Sequence, residues 1–387
     1  MPGARLSSRH FFMTELFPSL DPIPLPAPVW LLKALHMLLL SLHFVAVHLL
    51  LGGLAVAFVW NLLGHLRRNE QQRAAAGELA GYLPVVVTYV VNLGVPPLLF
   101  AQVLYGTALY TSTILIGAWW ISVIFLLIGM YYMLYVMTRR GASGRAWWGL
   151  ALASLLIVLV VAKIYATTMT LMLRPEVWPV MYAANAHGTA LPPHDPTLLP
   201  RWAFMICGAL TVAGAALVVV SQRRVFSAER RDFFATHGGL LALAGSPLWI
   251  AAGLWVWHTQ PAGVVAKVSA HALYPGLGLA WLVCAALLGV FGLLAAARKG
   301  RLPLALAVLV ALVAILTDAA AVLFRDGLRD VTLLGKGFNL WNQPLEMNLQ
   351  VLIIFGVLLV IGLVVVGWLV SVIARAKPVT EATHEQA

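Results

Sequence analysis

Three histidines, His36, His43 and His48, stand within one apolar stretch, "LLKALHMLLLSLHFVAVHLLLGG" (31–53). An ionisable side chain in hydrocarbon is costly and marks a functional hypothesis by default. Imidazole is an axial ligand of haem iron, so ligation is the chemistry these residues suggest. The seven-residue separation of His36 and His43 is close to two helical turns, which puts both on one face about 10 Å apart along the axis. His48 is directed elsewhere. His43 or His36 is therefore the candidate haem ligand, and the ordinary alternative is an imidazole hydrogen-bonded to a neighbouring helix. His258 and His271 lie at the ends of two later apolar stretches. They could hold a haem near a membrane face, or simply meet water. His65 and His237 sit beside arginines and read as interfacial.

Other groups add to this set. Lys163 and Asp318 each lie about sixteen residues into an apolar stretch. Equal depth and the cost of unpaired charge there predict that they pair, directly or through water, as a structural bridge or a proton path. "FRDGLRD" (324–330) places Arg325 and Arg329 four residues apart, on one face if helical, with Asp326 and Asp330 at the same spacing. Arginine forks suit carboxylates such as haem propionates; an interfacial anchor is the alternative. "NLWNQPLEMN" (339–348) offers Trp341, Asn342, Gln343 and Glu346, an aromatic with amides and an acid that could line a quinone headgroup pocket. It could equally be an interfacial turn. "NLGVPPLLFAQVLYG" (92–106) holds Pro96 and Pro97, which free the carbonyls near Asn92 and Leu93. Those carbonyls need new partners in lipid, such as the Asn92 amide or a water. A kinked span packed against protein is expected.

The elements that must position these residues are membrane helices. Hydrophobic residues make up 61% of the chain and charged ones 10%, with a mean hydropathy of +0.91; soluble chains carry about 25% charged residues. Spans of roughly 20 apolar residues are expected near 29–63, 79–104, 109–137, 147–173, 202–221, 239–257, 272–297, 302–324 and 349–374. The expected fold is an all-α integral membrane protein of about nine transmembrane helices. Helices are required, because backbone in lipid has no water to bond and no barrel-like alternation appears. Arginines and lysines gather after the first, third, fifth, seventh and ninth spans (Arg67, Arg139, Arg223, Arg298 and Arg375 among them). That alternation predicts an outer N-terminus and a cytoplasmic C-terminus. The net charge of +11 thus reflects topology rather than nucleic-acid binding. Cys207 and Cys284 form no metal, disulfide or c-type haem motif. Residues 1–28 read as a Pro-rich outer leader, 29–374 as one polytopic domain and 375–387 as a polar cytoplasmic tail.

In order along the chain, these features resemble subunit I of the cytochrome bd quinol oxidases. "LHFVAVHLLLGG" (42–53) resembles that family's first helix, and the match sets His43 on its high-spin b-haem ligand. "NLGVPPLLFAQVLYGT" (92–107) is similar to the second span, where Gln102 stands at an acidic or amide position near that family's haems, which implies that this stretch is a cofactor-side wall. "PRWAFMICGALTVAGA" (200–215), "HALYPGLG" (271–278) and "FRDGLRD" resemble the fifth span, the start of the seventh and the outer arginine motif. There are departures. Phe204 and Tyr274 replace the low-spin haem's histidine and methionine, "ILIGAWWISVIFLLIG" (114–129) lacks the third-span glutamates, and the long quinol loop shrinks to "TQPAGVVAKVSA" (259–270).

The resemblance implies a respiratory membrane subunit of the bacterial cytoplasmic membrane, surrounded by lipid and paired with a second membrane subunit, an outer-face cytochrome c, or both. It would exchange electrons between quinone and that partner, as a quinol-linked oxidoreductase subunit with one haem b on His43. Oxygen reduction by the chain alone is not expected. A haem-free anchor or assembly subunit is the alternative. A secondary transporter is the third reading, against which no inverted repeat is seen.

Overall fold

The computed structural model describes residue 17 and residues 23–299 and 302–375. The expected leader, apart from Phe17 and 23–28, and the expected tail beyond residue 375 lie outside the described residues. Twelve α-helices follow in order: α1 (Val29–Leu66), α2 (Glu70–Leu104), α3 (Gly106–Leu115), α4 (Gly117–Ala142), α5 (Trp148–Leu171), α6 (Trp178–Ala184), α7 (Leu198–Val220), α8 (Ala228–His258), α9 (Ala262–Ser269), α10 (Tyr274–Arg298), α11 (Leu304–Gly335) and α12 (Leu349–Arg375). Taking α2 and α3 together, nine segments among the described residues are long and apolar enough to cross a membrane.

Helix α1 is the central post. It packs against α2, α5, α7 and α11. A second group, α7–α8–α10–α11, closes around a core that includes Trp249 and Trp281. The arginine-rich turns meet at one end of the bundle. There Trp147 N donates to Asn61 Oδ1 (2.9 Å) and Arg223 reaches Tyr82. At the opposite end, Leu25 N donates to Pro344 O (2.7 Å) and Glu346 N to Leu25 O (3.0 Å). Phe17 packs there between Trp178 and Phe338. Helix α12 lies on the periphery, touching the rest through residues such as Phe355, whose ring is 5.2 Å from that of Phe100.

Three expectations about elements are corrected. At the double proline α2 runs on, one helix through Pro84, Pro96 and Pro97, and the expectation that fails is the Asn92 partner. Asn92 is exposed rather than turned inward to serve a freed carbonyl. The third span begins at Gly117, not at 109, because α3 stacks on the end of α2 and the chain turns only at Ile116. The eighth span does not stop at 324. Helix α11 continues to Gly335 and ends where Gly337 takes φ +93°, the left-handed geometry that closes a helix without a Cβ penalty. Nothing between 324 and 335 breaks a helix, so "FRDGLRD" is two turns of helix, not a loop.

Candidate functional site

That extension carries Asp326, Arg329 and Asp330 into the bundle, while Arg325 is exposed. Lys33 of α1 lies 2.7 Å from Asp326 and also pairs with Asp330. Arg329 pairs with Asp326, and its guanidinium lies 4.0 Å from the centroid of the Tyr105 ring. Tyr105 OH donates to Asp330 (2.8 Å) and stands 3.3 Å from Asp326. Arg329 also donates to His36 Nε2 at 3.4 Å. Two anions thus hold two cations, with a phenol and an imidazole beside them; Arg329 Nε is left without a hydrogen-bond partner among the described residues. The pairing has a physical necessity, since the Lys33 and Asp326 side chains are only 7% exposed and a lone charge there would be strongly disfavoured.

His36 and His43 do share a face, and that face meets α2. His36 Nδ1 donates to Pro97 O (2.9 Å) and His43 Nδ1 to Val90 O (3.0 Å). The two carbonyls are also seven residues apart, as an antiparallel pair of helices requires. His36 is fully engaged, because its second nitrogen takes the Arg329 bond. His43 is not. Its Nδ1–H is committed to a carbonyl, so Nε2 carries the lone pair. This is the tautomer of metal-ligating histidines, which anchor the other ring nitrogen to backbone or carboxylate. Gly94 makes the approach feasible: a Cβ there would fall 2.8 Å from His43 Cε1 and 2.9 Å from Nδ1.

Arg325 completes this side. It lies 5.5 Å from the Phe44 ring and within electrostatic reach of Arg201, Arg329 and Asp326. Among the described residues it has no carboxylate partner. Arg201 of α7 donates to Thr170 Oγ1 at 3.4 Å. Two arginines therefore stand within electrostatic reach of each other, Arg201 also within reach of Asp195, and neither is committed to an ion pair among the described residues, which leaves anion-binding capacity. Arg329, expected to share that task with Arg325, is taken up by Asp326 instead. For one haem b the residues present fit: an anchored histidine with a free Nε2, a glycine cradle, and an unpaired guanidinium nearby. For a low-spin haem between the fifth and seventh spans they do not. Phe204 packs on Trp249 and Trp281 with ring centroids 5.7 and 5.3 Å away. Tyr274 stacks on His271 at 3.8 Å and covers Gly327.

Lys163 and Asp318, expected to pair directly or through water, make no direct pair. Asp318 Oδ1 is 2.9 Å from His48 Nδ1, while Lys163 Nζ lies 5.3 Å from the centroid of the Trp202 ring. Equal depth did not suffice, because α5 packs on α1, α3, α4 and α7 whereas α11 packs on α1, α7, α9 and α10. With only an aromatic face as partner, Lys163→Met is expected to change stability by less than ~1 kcal/mol, read from unfolding in detergent; a loss of several times that would show a charged partner.

The remaining candidates are dispersed. Gln102 is half-buried on α2 and joins no side-chain hydrogen bond among the described residues. His258 is exposed at the end of α8, and His271 accepts from Leu273 N (3.2 Å). Trp341 is exposed and Lys33 Nζ lies 5.8 Å from its ring centroid, which ties 339–346 to the charged network. Asn342, Gln343 and Glu346 lie on the same exposed connection, and Glu346 lines a shallow cleft of ≈ 350 Å³ with Pro24 and Pro26. His65 and His237 each donate one turn back along their own helix. Sequence reasoning missed Lys33, Tyr105 and Arg201 as site residues and set His48 aside. The signal for Lys33 and His48 was present, an ionisable group in an apolar helix. Tyr105 carried none.

No protein-family model matches the sequence, and no curated protein matches it. Among solved structures the chain is similar to the bd oxidase from Geobacillus thermodenitrificans, with a TM-score of 0.61 and 12% identity over 91% of this chain and 99% of that one. At that identity the likeness is one of fold.

Proposed function

We propose that the chain is a membrane subunit of a respiratory electron-transfer complex, seated in the bacterial cytoplasmic membrane with its N-terminus outside. It exchanges electrons between membrane quinone and an outer-face partner such as a cytochrome c, through one b-type haem. The observation that carries this reading is His43, whose Nδ1 is tied to Val90 O while Nε2 is left for iron. The fold shared with a bd oxidase and the resemblance at 42–53 support it. His43 would supply the axial nitrogen, and Arg325, with Arg201 behind it, would neutralise propionates. When bound, the haem supplies a one-electron carrier. The rest is this chain's own doing. Val90 O fixes the imidazole tautomer, and Gly94 keeps α2 close enough to hold it. The Lys33–Asp326–Arg329–Asp330 network clamps α11 to α1 beside the site. Trp341, Asn342, Gln343 and Glu346, next to that network, are the proposed quinone contact.

Purified protein is expected to contain haem and to show a reduced-minus-oxidised b-type spectrum, and His43→Ala is expected to remove at least nine-tenths of that signal while the chain stays folded. Folded wild-type protein without haem sinks the proposal. It would leave the haem-free anchor, a reading favoured by Phe204, Trp249 and Trp281 packing together where the resemblance places a low-spin ligand.

A further inference from the structure

His48 and Asp318 make a second charged site, separate from the outer network. His48 Nδ1 lies 2.9 Å from Asp318 Oδ1, and each residue is 1% exposed. His48 is near the middle of the 38 residues of α1 and Asp318 near the middle of the 32 of α11, so the pair sits deep in the bundle. The layer around it is aromatic. The Trp249 ring stands edge-on to His48 at 5.5 Å, and Trp281 is 6.0 Å beyond it. Gly208 of α7 leaves room for both: a Cβ there would meet Trp249 Cε2 at 2.7 Å and His48 Cε1 at 2.9 Å.

This layer leaves its polar atoms unsatisfied. His48 Nε2, Asp318 Oδ2, Trp249 Nε1, Trp281 Nε1 and, one turn from Gly208, Thr211 Oγ1 have no hydrogen-bond partner among the described residues. His48 Nδ1 is close to Asp318 but not aligned for a hydrogen bond. Leaving such buried atoms unmet is costly, and proteins ordinarily meet such groups with ordered water. The set is chemically mixed. Indole nitrogens only donate, a carboxylate oxygen only accepts, and the hydroxyl and imidazole can do either. Water can bridge a set of that kind; an apolar ligand cannot, and among the described residues no group of three or more metal-ligating side chains occurs.

We infer that His48 and Asp318, with water held among Thr211, Trp249 and Trp281, form a proton-binding site inside the membrane. With one proton the dyad is neutral overall, as imidazolium beside carboxylate or as imidazole beside carboxylic acid. Losing that proton to a bound water leaves imidazole beside carboxylate, with one negative charge. The step breaks one N–H or O–H bond and forms one on water, with no oxidant or reductant. The surroundings can tolerate both states. On α11, Arg325 lies two turns from Asp318 with no carboxylate of its own, and Asp326, Arg329 and Asp330 neutralise one another further out together with Lys33. On α1, His43 is within electrostatic reach of His48. From α7 come Arg201 and Cys207, from α10 Tyr274 and Cys284, and from α5 Lys163. Helix α8 carries no titratable residue between His237 and His258. The inference stands without a haem.

Infrared difference spectra of the full chain in detergent, taken between about pH 5 and pH 9 in H2O and D2O, test it. The expected result is a carboxyl or imidazole band that rises with acidification, shifts in D2O, and is lost in Asp318→Asn and in His48→Gln. A band retained at full amplitude in either variant, if that variant folds, overturns the inference. So does a wild-type spectrum with no pH-dependent, D2O-sensitive band, whatever the variants do.

Discussion

Asp326→Asn is expected to destabilise the chain by about 3–5 kcal/mol, the cost of leaving buried charge without its partner. Asp326 faces Lys33 at 2.7 Å and also pairs with Arg329. Asp330 can still serve Lys33, but Arg329 loses its ion pair and keeps the Tyr105 face, the His36 nitrogen and the more distant field of Asp330. Titration with a denaturing detergent against a mild one measures the change. Glu176→Gln provides the contrast. Its partner Lys336 is 3.0 Å away, but the two side chains are 41% and 33% exposed, and such pairs contribute about 0–1 kcal/mol. If the two substitutions cost the same, the buried network is not what holds α11 to α1. Loss of the clamp is also expected to disturb His36 and the face of α1 that carries His43, so the haem proposed for His43 should be lost along with stability.

Gly239→Val is the second large effect. Helices α8 and α10 cross at Gly239 and Gly292 with no side chain between them. A Cβ at 239 would lie 2.4 Å from Gly292 O and 2.7 Å from Ala296 N, and a Cβ at 292 would lie 2.5 Å from Gly239 O. These are backbone atoms, so no rotamer relieves the clash and the helices must separate. The cost is expected at about 3 kcal/mol, the upper end for overpacking, and should appear as a lower unfolding midpoint. Small residues at such crossings are how membrane helices gain close contact when lipid offers no hydrophobic driving force. Gly263→Ala in α9, where a Cβ meets nothing within 4 Å, should instead be neutral or stabilising by up to ~1 kcal/mol. Equal losses at the two positions would refute the packing argument.

Helix count and span positions were legible because hydrocarbon demands them. Runs of apolar residues must be about a bilayer long, and backbone in lipid must be helical. Ends were read less well. The eighth span was expected to close at the first charge, Arg325, because charges usually mark an interface. Here Asp326, Arg329 and Asp330 are neutralised by one another and by Lys33, so helix continues past them. The double proline was expected to need amides for its freed carbonyls. The exposed Asn92 amide does not serve them, and the imidazoles that reach this stretch bond other carbonyls, His36 that of Pro97 and His43 that of Val90.

The sequence by itself determined the class of molecule, an all-α membrane protein with ionisable side chains at particular depths. It also set the spacings that matter: seven residues from His36 to His43, four from Arg325 to Arg329 and from Asp326 to Asp330. Spacing along one helix is geometry the chain carries with it. Which partner each group meets depends on how helices are rotated and which ones touch, and only the tertiary structure decided that. Asp318 and Lys163 share a depth, yet Asp318 meets His48 because α11 packs on α1. Arg325 and Arg329 share a face of one helix, yet Arg329 is held by Asp326 while Arg325 stays free for an anion. Depth is written in hydrophobicity, one residue at a time; pairing is the outcome of every helix burying its surface at once.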